Sequence, residues 1–241
     1  MPRTKVHPNA ADPEQHAAAV TVDVTPDPPP PPPPTVLTVW RRSLLFNCDG
    51  FTVFDARGDL AFRVDSYDAS GRRRAEVVLM DATGTPLLTV RRKRRLGVLV
   101  DHWVIYDGDA ADAEAAEPSA TSSKPLLSVR RRHRRASSSS SSRAKALAYV
   151  TPLQVSSSSY VVEGSYGRRA CVVREPDHAR GDAVVAEVRR KDAVLGDDVF
   201  RLVVEPRLGA TLAMGLVIAL DEMFAGGRSS SSLLRSRTWS V

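Results

Sequence analysis

The chain has 241 residues, of which 42% are hydrophobic, so it can build one large domain and is too apolar to be disordered throughout. Its 34 Lys and Arg outnumber its 28 Asp and Glu, for a formal charge of +6, which favours polyanionic partners such as phosphorylated lipid or nucleic acid. The two cysteines, Cys48 and Cys171, exclude a disulfide framework and any multi-cysteine zinc module, and we interpret both as small buried hydrophobic residues.

Residues 1–34 are predicted to form a disordered segment that ends in a polyproline tract, Pro28–Pro34. Consecutive prolines enforce the extended polyproline II conformation and cannot enter the interior of a sheet. The tract is either a stiff spacer, which needs no partner, or a ligand for a proline-reading protein domain. The first residues lack the apolar core of a signal peptide, which predicts a cytoplasmic protein.

Between Thr35 and Glu205 the sequence predicts about twelve short strands, marked by β-branched residues and by turn signals rich in Gly and Asp. Residues 60–65 and 184–189 alternate with the period of two that is typical of a strand with one buried face. The residues predicted to point inward there are Leu60, Phe62, Val64, Val184, Ala186 and Val188. This number and spacing of strands predict an antiparallel barrel or sandwich.

Low-complexity stretches interrupt the predicted domain, which we place at residues 35–225. We expect mobile insertions at residues 108–124, 136–143 and 156–159, which are rich in Ser, Ala and acidic residues. The Ser- and Arg-rich tail, residues 226–241, is predicted to be disordered.

An uncharged run, Leu208–Leu220, lies near the end of the chain between Arg207 and Asp221. As a helix with a rise of ~1.5 Å per residue it would span roughly 20 Å, too little to cross about 30 Å of hydrocarbon. A helix that is apolar on all sides must be buried, so we predict that the preceding strands close around it as a barrel. The alternative is an interfacial or re-entrant membrane anchor. The predicted core residues of the helix are Leu212, Met214, Leu216, Val217, Ile218 and Leu220.

Two similar segments, Pro86–Arg95 and Pro125–Arg135, each read as an apolar strand that runs into a basic turn. We interpret the turns as a binding site for anionic lipid headgroups, because each basic residue near a charged leaflet contributes ~1 kcal/mol. The alternatives are solvated turns that discourage edge pairing between molecules and a nuclear-import signal. The candidate lipid-binding residues are Arg91, Arg92, Lys93, Arg94, Arg95, Arg130, Arg131, Arg132, Arg134 and Arg135.

Ser137 follows two arginines and is a candidate site for a kinase that prefers basic residues. A phosphate there would add a charge of about −1.5 to −2 beside the second basic turn, which predicts weaker docking after phosphorylation.

Enzyme signatures are absent from the sequence, and we predict no catalytic residue, metal or cofactor. Residues 164–167 approach a nucleophile elbow, but Glu163 occupies the place of its first glycine, and we predict a hairpin there. The five histidines lack the spacing of a zinc site. Asp107 and Asp109 resemble the start of a calcium loop, but Asp112 stands where that loop requires glycine.

Several segments, in the same order along the chain, resemble the plant LURP-one-related family. They are Asn47–Asp55, Phe62–Tyr67, Pro86–Lys93, Trp103–Gly108, Val194–Phe200 and Met214–Glu222. The resemblance implies the Tubby C-terminal-like fold, a twelve-stranded barrel around a hydrophobic C-terminal helix. Similar folds occur in Tubby proteins, which dock on phosphoinositides, and in phospholipid scramblases, and some members of the family are associated with plant defence.

Taken together, the residues and the resemblance predict a non-enzymatic barrel protein of plant signalling that docks on phosphoinositide or another anionic membrane surface. We expect it in the cytoplasm, at the periphery of the plasma membrane, with a nuclear pool as a further option. The first alternative is a protein-interaction scaffold that uses the polyproline tract and a barrel face without binding lipid, and the second is a membrane-tethered nuclear regulator. Acidic residues that alternate along the strands argue against nucleic acid, and the short, buried helix argues against scramblase-type lipid transport.

Overall fold

The computed structural model describes residues 32–45, 49–66, 76–93, 101–109, 124–132, 146–154, 158–176, 181–191 and 197–224. Residues 1–31 of the segment predicted to be disordered at 1–34 lie outside these ranges, as do all of the predicted tail at 226–241 and all of the predicted insertion at 136–143. Most of the predicted insertion at 108–124 and half of the one at 156–159 lie outside them as well. The secondary-structure elements are β1 (Thr35–Trp40), β2 (Asp49–Phe54), β3 (Leu60–Ser66), β4 (Glu76–Asp81), β5 (Pro86–Arg92), β6 (His102–Asp107), β7 (Pro125–Arg131), β8 (Ala146–Pro152), β9 (Tyr160–Ser165), β10 (Ala170–Glu175), β11 (Ala183–Arg190), β12 (Val199–Val204) and α1 (Ala210–Phe224), with a 3-10 turn at Tyr166–Arg168.

The twelve strands form one closed antiparallel barrel in which each strand pairs with its neighbours in sequence. Closure is made by β1 and β12, whose register runs from the pair Thr35 and Val204 to the pair Trp40 and Val199. A closed barrel leaves no unpaired strand edge among these elements, so it avoids edge-to-edge association. The prediction of a barrel of about twelve antiparallel strands is therefore confirmed.

Helix α1 runs through the interior of the barrel and packs against the inward faces of the strands. Gly209 precedes it with φ +77°, a left-handed conformation that glycine adopts without strain. The helix lies close to the wall, since a Cβ at Gly215 would stand 3.1 Å from the Cδ1 atom of Leu88. The prediction that the strands wrap this apolar segment is confirmed, and the alternative of an exposed anchor is not the observed arrangement.

The residues predicted to fill the core from the helix are buried, except for one near its start. Met214, Leu216, Val217, Ile218 and Leu220 are buried among strand residues, and Leu212 is half-buried in the first turn. Among the helices within the ranges given above, none combines the length and the apolar content that a bilayer crossing requires.

One predicted face is wrong in β11, where Val184 is exposed and Val185 is fully buried. The register explains the change: Val173 of β10 pairs with Ala186 while Arg174 pairs with Val184, so Val185 is the extra residue of a β-bulge. A bulge shifts the alternation by one residue, and the inward position passes from Val184 to Val185.

The barrel has two ends, which we call the first rim and the second rim. In this topology the odd-numbered strands all end at the first rim, which carries the connections from β1 to β2, from β5 to β6 and from β7 to β8. The second rim carries the connections from β2 to β3, from β6 to β7 and from β12 to α1. The C-terminal end of α1 lies at the first rim, because Arg131 at the end of β7 contacts Met223 and Phe224.

Candidate functional site

The two basic runs leave the barrel at the first rim, on either side of β6. Strands β5 and β7 both pair antiparallel with β6, so they run in the same direction two strand spacings, or about 10 Å, apart. In this register Arg92 pairs with Trp103, and Trp103 pairs with Val129. The described candidates are Arg91, Arg92, Lys93, Arg130, Arg131 and Arg132, while Arg94, Arg95, Arg134, Arg135 and Ser137 lie outside the described residues.

Three of the six described candidates are held by carboxylates. The Nε atom of Arg91 donates to Glu76 at the start of β4. Arg92 and Arg131, from the two different runs, both donate to Asp101, at 2.9 and 3.2 Å. Since Glu76 and Asp101 offset part of this positive charge, these three arginines contribute less to anion binding than their number suggests.

Arg131 also caps the C-terminal end of helix α1. Its Nη1 atom donates to the backbone oxygen of Met223 at 3.1 Å, and its guanidinium lies 4.7 Å from the ring centroid of Phe224. The last carbonyls of a helix lack partners within the helix and carry partial negative charge, so an arginine there is stabilising. Arg131 therefore joins β7 to α1.

Other basic side chains of the first rim are exposed to solvent. Lys93 places its Nζ atom 5.5 Å from the ring centroid of Tyr106, and Arg130 points outward beside Tyr149 of β8. Arg42, after β1, and Arg168, in the 3-10 turn, were not among the sequence candidates. Within the part of the chain that the structure describes, the exposed basic side chains here that form no salt bridge are Arg42, Lys93 and Arg168 at the rim and Arg130, which precedes the last residue of β7.

The described charges are separated between the two rims. Each rim consists of the connections at that end of the barrel and the strand residues next to them, and the first rim also contains the last turn of α1. The first rim carries ten basic and seven acidic residues among those described: Arg41, Arg42, Arg92, Lys93, Arg131, Arg132, Arg168, Arg169, Arg190 and Lys191, against Asp49, Glu76, Asp101, Asp197, Asp198, Asp221 and Glu222. The second rim carries three basic and eight acidic described residues: Arg57, Lys124 and Arg207, against Asp55, Asp59, Asp81, Asp107, Asp109, Glu175, Asp182 and Glu205. We therefore call the first the basic rim and the second the acidic rim.

A buried polar network, which the sequence did not reveal, fixes the end of the helix at the basic rim. The carboxylate of Asp221 accepts hydrogen bonds from the Nε atom of Arg41 at 2.9 and 3.1 Å and from the hydroxyl of Tyr166 at 3.2 Å. Arg169 is buried, with its Nη2 atom 3.8 Å from Asp221 and its guanidinium against the rings of Tyr166 and Phe200. The network joins α1 to β1 and to the turn between β9 and β10.

The environment of this network shifts the pKa of two of its members. Burial raises the pKa of the Tyr166 hydroxyl well above its usual range, and the negative charge of Asp221 adds to the effect. Burial acts to lower the pKa of Arg41, but the charge and hydrogen bonds of Asp221 outweigh it, so the net shift is upward. Both groups therefore keep their protons, and Asp221 has two cationic neighbours and one hydroxyl donor.

A second concave site lies at the acidic rim, between the start of α1 and strands β7 to β10. Its volume is about 430 Å³, and Leu126, Tyr160 and Leu212 are among its lining residues. Glu175 and Arg207 also line it and pair with each other at 3.0 Å. Burial, followed by the charge of Glu175, raises the pKa of Tyr160. Among the residues that the structure describes, no group of three or more His, Cys, Asp or Glu is placed to hold a metal ion.

A twelve-stranded barrel closed around its C-terminal helix is of the Tubby-like type. The family model LURP-one-related matches residues 35–221, and the chain belongs to that family. Protein LURP-one-related 8 of Arabidopsis thaliana is 42% identical over 194 residues, covering 78% of this chain and 87% of the relative. Protein LURP-one-related 17 of the same plant is 37% identical over 196 residues, covering 79% and 84%. An X-ray structure of an Arabidopsis thaliana protein superposes with a TM-score of 0.52 at 24% identity, covering 80% of this chain and 93% of that one, and shows a similar fold.

Proposed function

We propose that this LURP-one-related protein docks on phosphoinositide-containing or otherwise anionic membrane surfaces through its basic rim, without catalysing a reaction. In this role it is a peripheral regulator of plant signalling or defence. The observation that carries the proposal is the separation of charge along the barrel, with ten basic and seven acidic described residues at one rim and three basic and eight acidic at the other.

The separation of charge supports docking in one orientation. An anionic surface attracts the basic rim and repels the acidic rim, so the barrel approaches with its axis steep to the surface. Evenly scattered charges would attract the protein without turning it. The two basic runs also leave the barrel close together, on either side of β6, and so strengthen the attraction at this rim.

The exposed residues set the scale of the attraction. Arg42, Lys93, Arg130 and Arg168 would together contribute about 4 kcal/mol at ~1 kcal/mol each before screening. That corresponds to a dissociation constant on the order of millimolar, which suits reversible docking and leaves room for further contacts. Screening by salt must weaken it, because exposed charges lose their attraction beyond about 10 Å at ordinary ionic strength.

The test compares vesicle flotation of three forms of the full chain. The first is the wild type, the second is Lys93→Gln with Arg130→Gln at the basic rim, and the third is Arg57→Gln with Lys124→Gln at the acidic rim. Both double variants remove two positive charges and have the same net charge. The vesicles are phosphatidylcholine with and without phosphatidylinositol bisphosphate.

We expect the variant at the basic rim to bind anionic vesicles roughly 30-fold more weakly, because it loses about 2 kcal/mol of attraction. The variant at the acidic rim should bind as the wild type does, and added salt should release both. Equal loss in the two variants, or binding that ignores salt, would contradict docking by the basic rim. An absence of vesicle binding by the wild type would favour the scaffold function, in which the polyproline tract and a barrel face bind proteins.

A further inference from the structure

The connection after β1 exposes large apolar side chains at the basic rim. Leu44 is 61% exposed, Trp40 is 45% exposed and Leu45 is 36% exposed. Arg41, Arg42 and Ser43 separate Trp40 from the two leucines in the sequence. Single exposed apolar residues are common on proteins, but here three such side chains lie within six residues, at the end of β1 and in the connection that follows it.

This loop is fixed to the barrel at the residues before the two leucines. The backbone N–H of Arg41 donates to the backbone oxygen of Asp198 at 2.8 Å. The hydroxyl of Thr52 donates to the backbone oxygen of Arg42 at 2.7 Å. Ser43 donates its hydroxyl to Asp65 and accepts from the backbone N–H of Leu45 at 3.0 Å. Leu44 and Leu45 are therefore presented by a built turn.

The positions of the three apolar side chains favour one kind of occupant. Trp40 packs its ring in a T-shaped arrangement with Phe54, with 5.7 Å between ring centroids, and remains 45% exposed. Tryptophan prefers the boundary between lipid headgroups and acyl chains, where its apolar ring and its N–H are both satisfied. Arg42 is exposed beside it, with the charge that an anionic leaflet attracts. A patch of aromatic, aliphatic and basic side chains matches a membrane surface in both polarity and charge.

We propose that Trp40, Leu44 and Leu45, which we call the apolar wedge, enter the headgroup and acyl boundary of an anionic leaflet when the basic rim docks. This inference rests on the proposed function and adds a second, salt-resistant part to the binding. The wedge is built before binding, so little conformational entropy is lost when it enters the lipid. The basic rim brings the protein to the surface, and the wedge lengthens its residence there.

The experiment uses the full chain and phosphatidylcholine vesicles containing phosphatidylinositol bisphosphate, at low and at high salt. The test variant is Leu44→Ser with Leu45→Ser, and the matched control is Leu153→Ser. Leu153 is 48% exposed but lies in the connection between β8 and β9 at the acidic rim. We expect the test variant to lose at least tenfold in affinity at high salt and a similar factor at low salt, because salt does not screen the apolar contribution to binding. The control should match the wild type at both.

A fluorescence measurement reports on entry into lipid directly. In a Trp239→Phe background, phosphatidylcholine brominated on its acyl chains should quench the emission of Trp40, while Trp103, buried in the barrel, stays shielded. Trp40→Phe should abolish the quenching.

Each further outcome separates the two proposals. If the wild type fails to bind at low salt, both the wedge and docking by the basic rim are wrong. If it binds but the leucine variant matches it at high salt and Trp40 is not quenched, the wedge is wrong and docking by the basic rim stands. If light scattering shows that the leucine variant changes self-association and not vesicle affinity, the patch binds a second copy of the chain and the wedge is again wrong.

Discussion

Asp221 is the residue on which the end of the helix depends. It is the first charge after the apolar run, and in the structure its carboxylate is buried between Arg41, Tyr166 and Arg169. Removing a carboxylate from such a group leaves two guanidinium charges facing each other with less compensation. The arrangement therefore stabilises the fold only while all members are present.

We expect Asp221→Asn to lower the free energy of unfolding by about 3 kcal/mol, because a buried cation loses its partner. The measurement is denaturant unfolding at neutral pH, with the slope against denaturant checked for constancy. The matched control is Asp59→Asn at the acidic rim, where an exposed carboxylate lies 3.3 Å from Arg57. That change should stay within about 0.5 kcal/mol of the wild type. A loss below about 1 kcal/mol for Asp221→Asn would contradict this role.

Sequence alone could identify some residues of the site and not others. The runs at Arg91 and Arg130 were visible because basic residues are adjacent in the chain. Glu76 and Asp101, which hold three of those arginines, come from other elements and become neighbours only through strand pairing. The same holds for Arg41 and Asp221, which are 180 residues apart.

At the scale of elements, the hairpin of β9 and β10 shows how a short motif sets local geometry. The hairpin predicted at residues 164–167 is present, with a 3-10 turn that ends at Arg169 in the left-handed region at φ 51°. Gly164 has φ +101°, and a Cβ there would lie 2.4 Å from the backbone oxygen of Ala170. Only glycine fits this position, because both the backbone angle and the space exclude a side chain.

Gly164→Ala should therefore reduce the free energy of unfolding by about 2 kcal/mol or more. Gly167→Ala, three residues away, is the control, since a Cβ at Gly167 meets no atom within 4 Å and its φ is negative or extended. Thermal and denaturant unfolding of the two variants provide the comparison. Equal stabilities would show that the strand can shift to accept a side chain at Gly164.

The strands and the helix could be predicted because their patterns are local. Strand alternation and turn residues indicated about twelve strands, and the uncharged run indicated a buried helix. The bulge at Val185 could not be seen, because its only sign in the sequence is one more apolar residue in an apolar run. Its position is set by pairing with β10, and pairing is a property of two strands together.

At the scale of the whole barrel, the strand topology determines which separate segments of the chain share one surface. The two basic runs lie 39 residues apart in the chain, but both follow strands that run toward the same rim. The net charge of +6 indicated an excess of positive charge but not the side of the molecule on which it lies. The direction of the charge separation arises because alternate connections fall at opposite ends of a barrel of sequentially paired strands. Among the described residues, the basic side chains fall mostly at one of these ends, while the acidic side chains are divided almost evenly between the two.

The most direct test of docking by the basic rim is the orientation of the bound barrel. The environment-sensitive dye NBD is attached at Gly167→Cys on the basic rim or at Ala56→Cys on the acidic rim, in a Cys48→Ser background. Cys171 is buried, and burial raises the pKa of its thiol to about 12, so it stays unlabelled. On addition of anionic vesicles, we predict brighter, blue-shifted emission from position 167 and unchanged emission from position 56. Equal changes at the two positions, or a change at position 56 alone, would contradict the account.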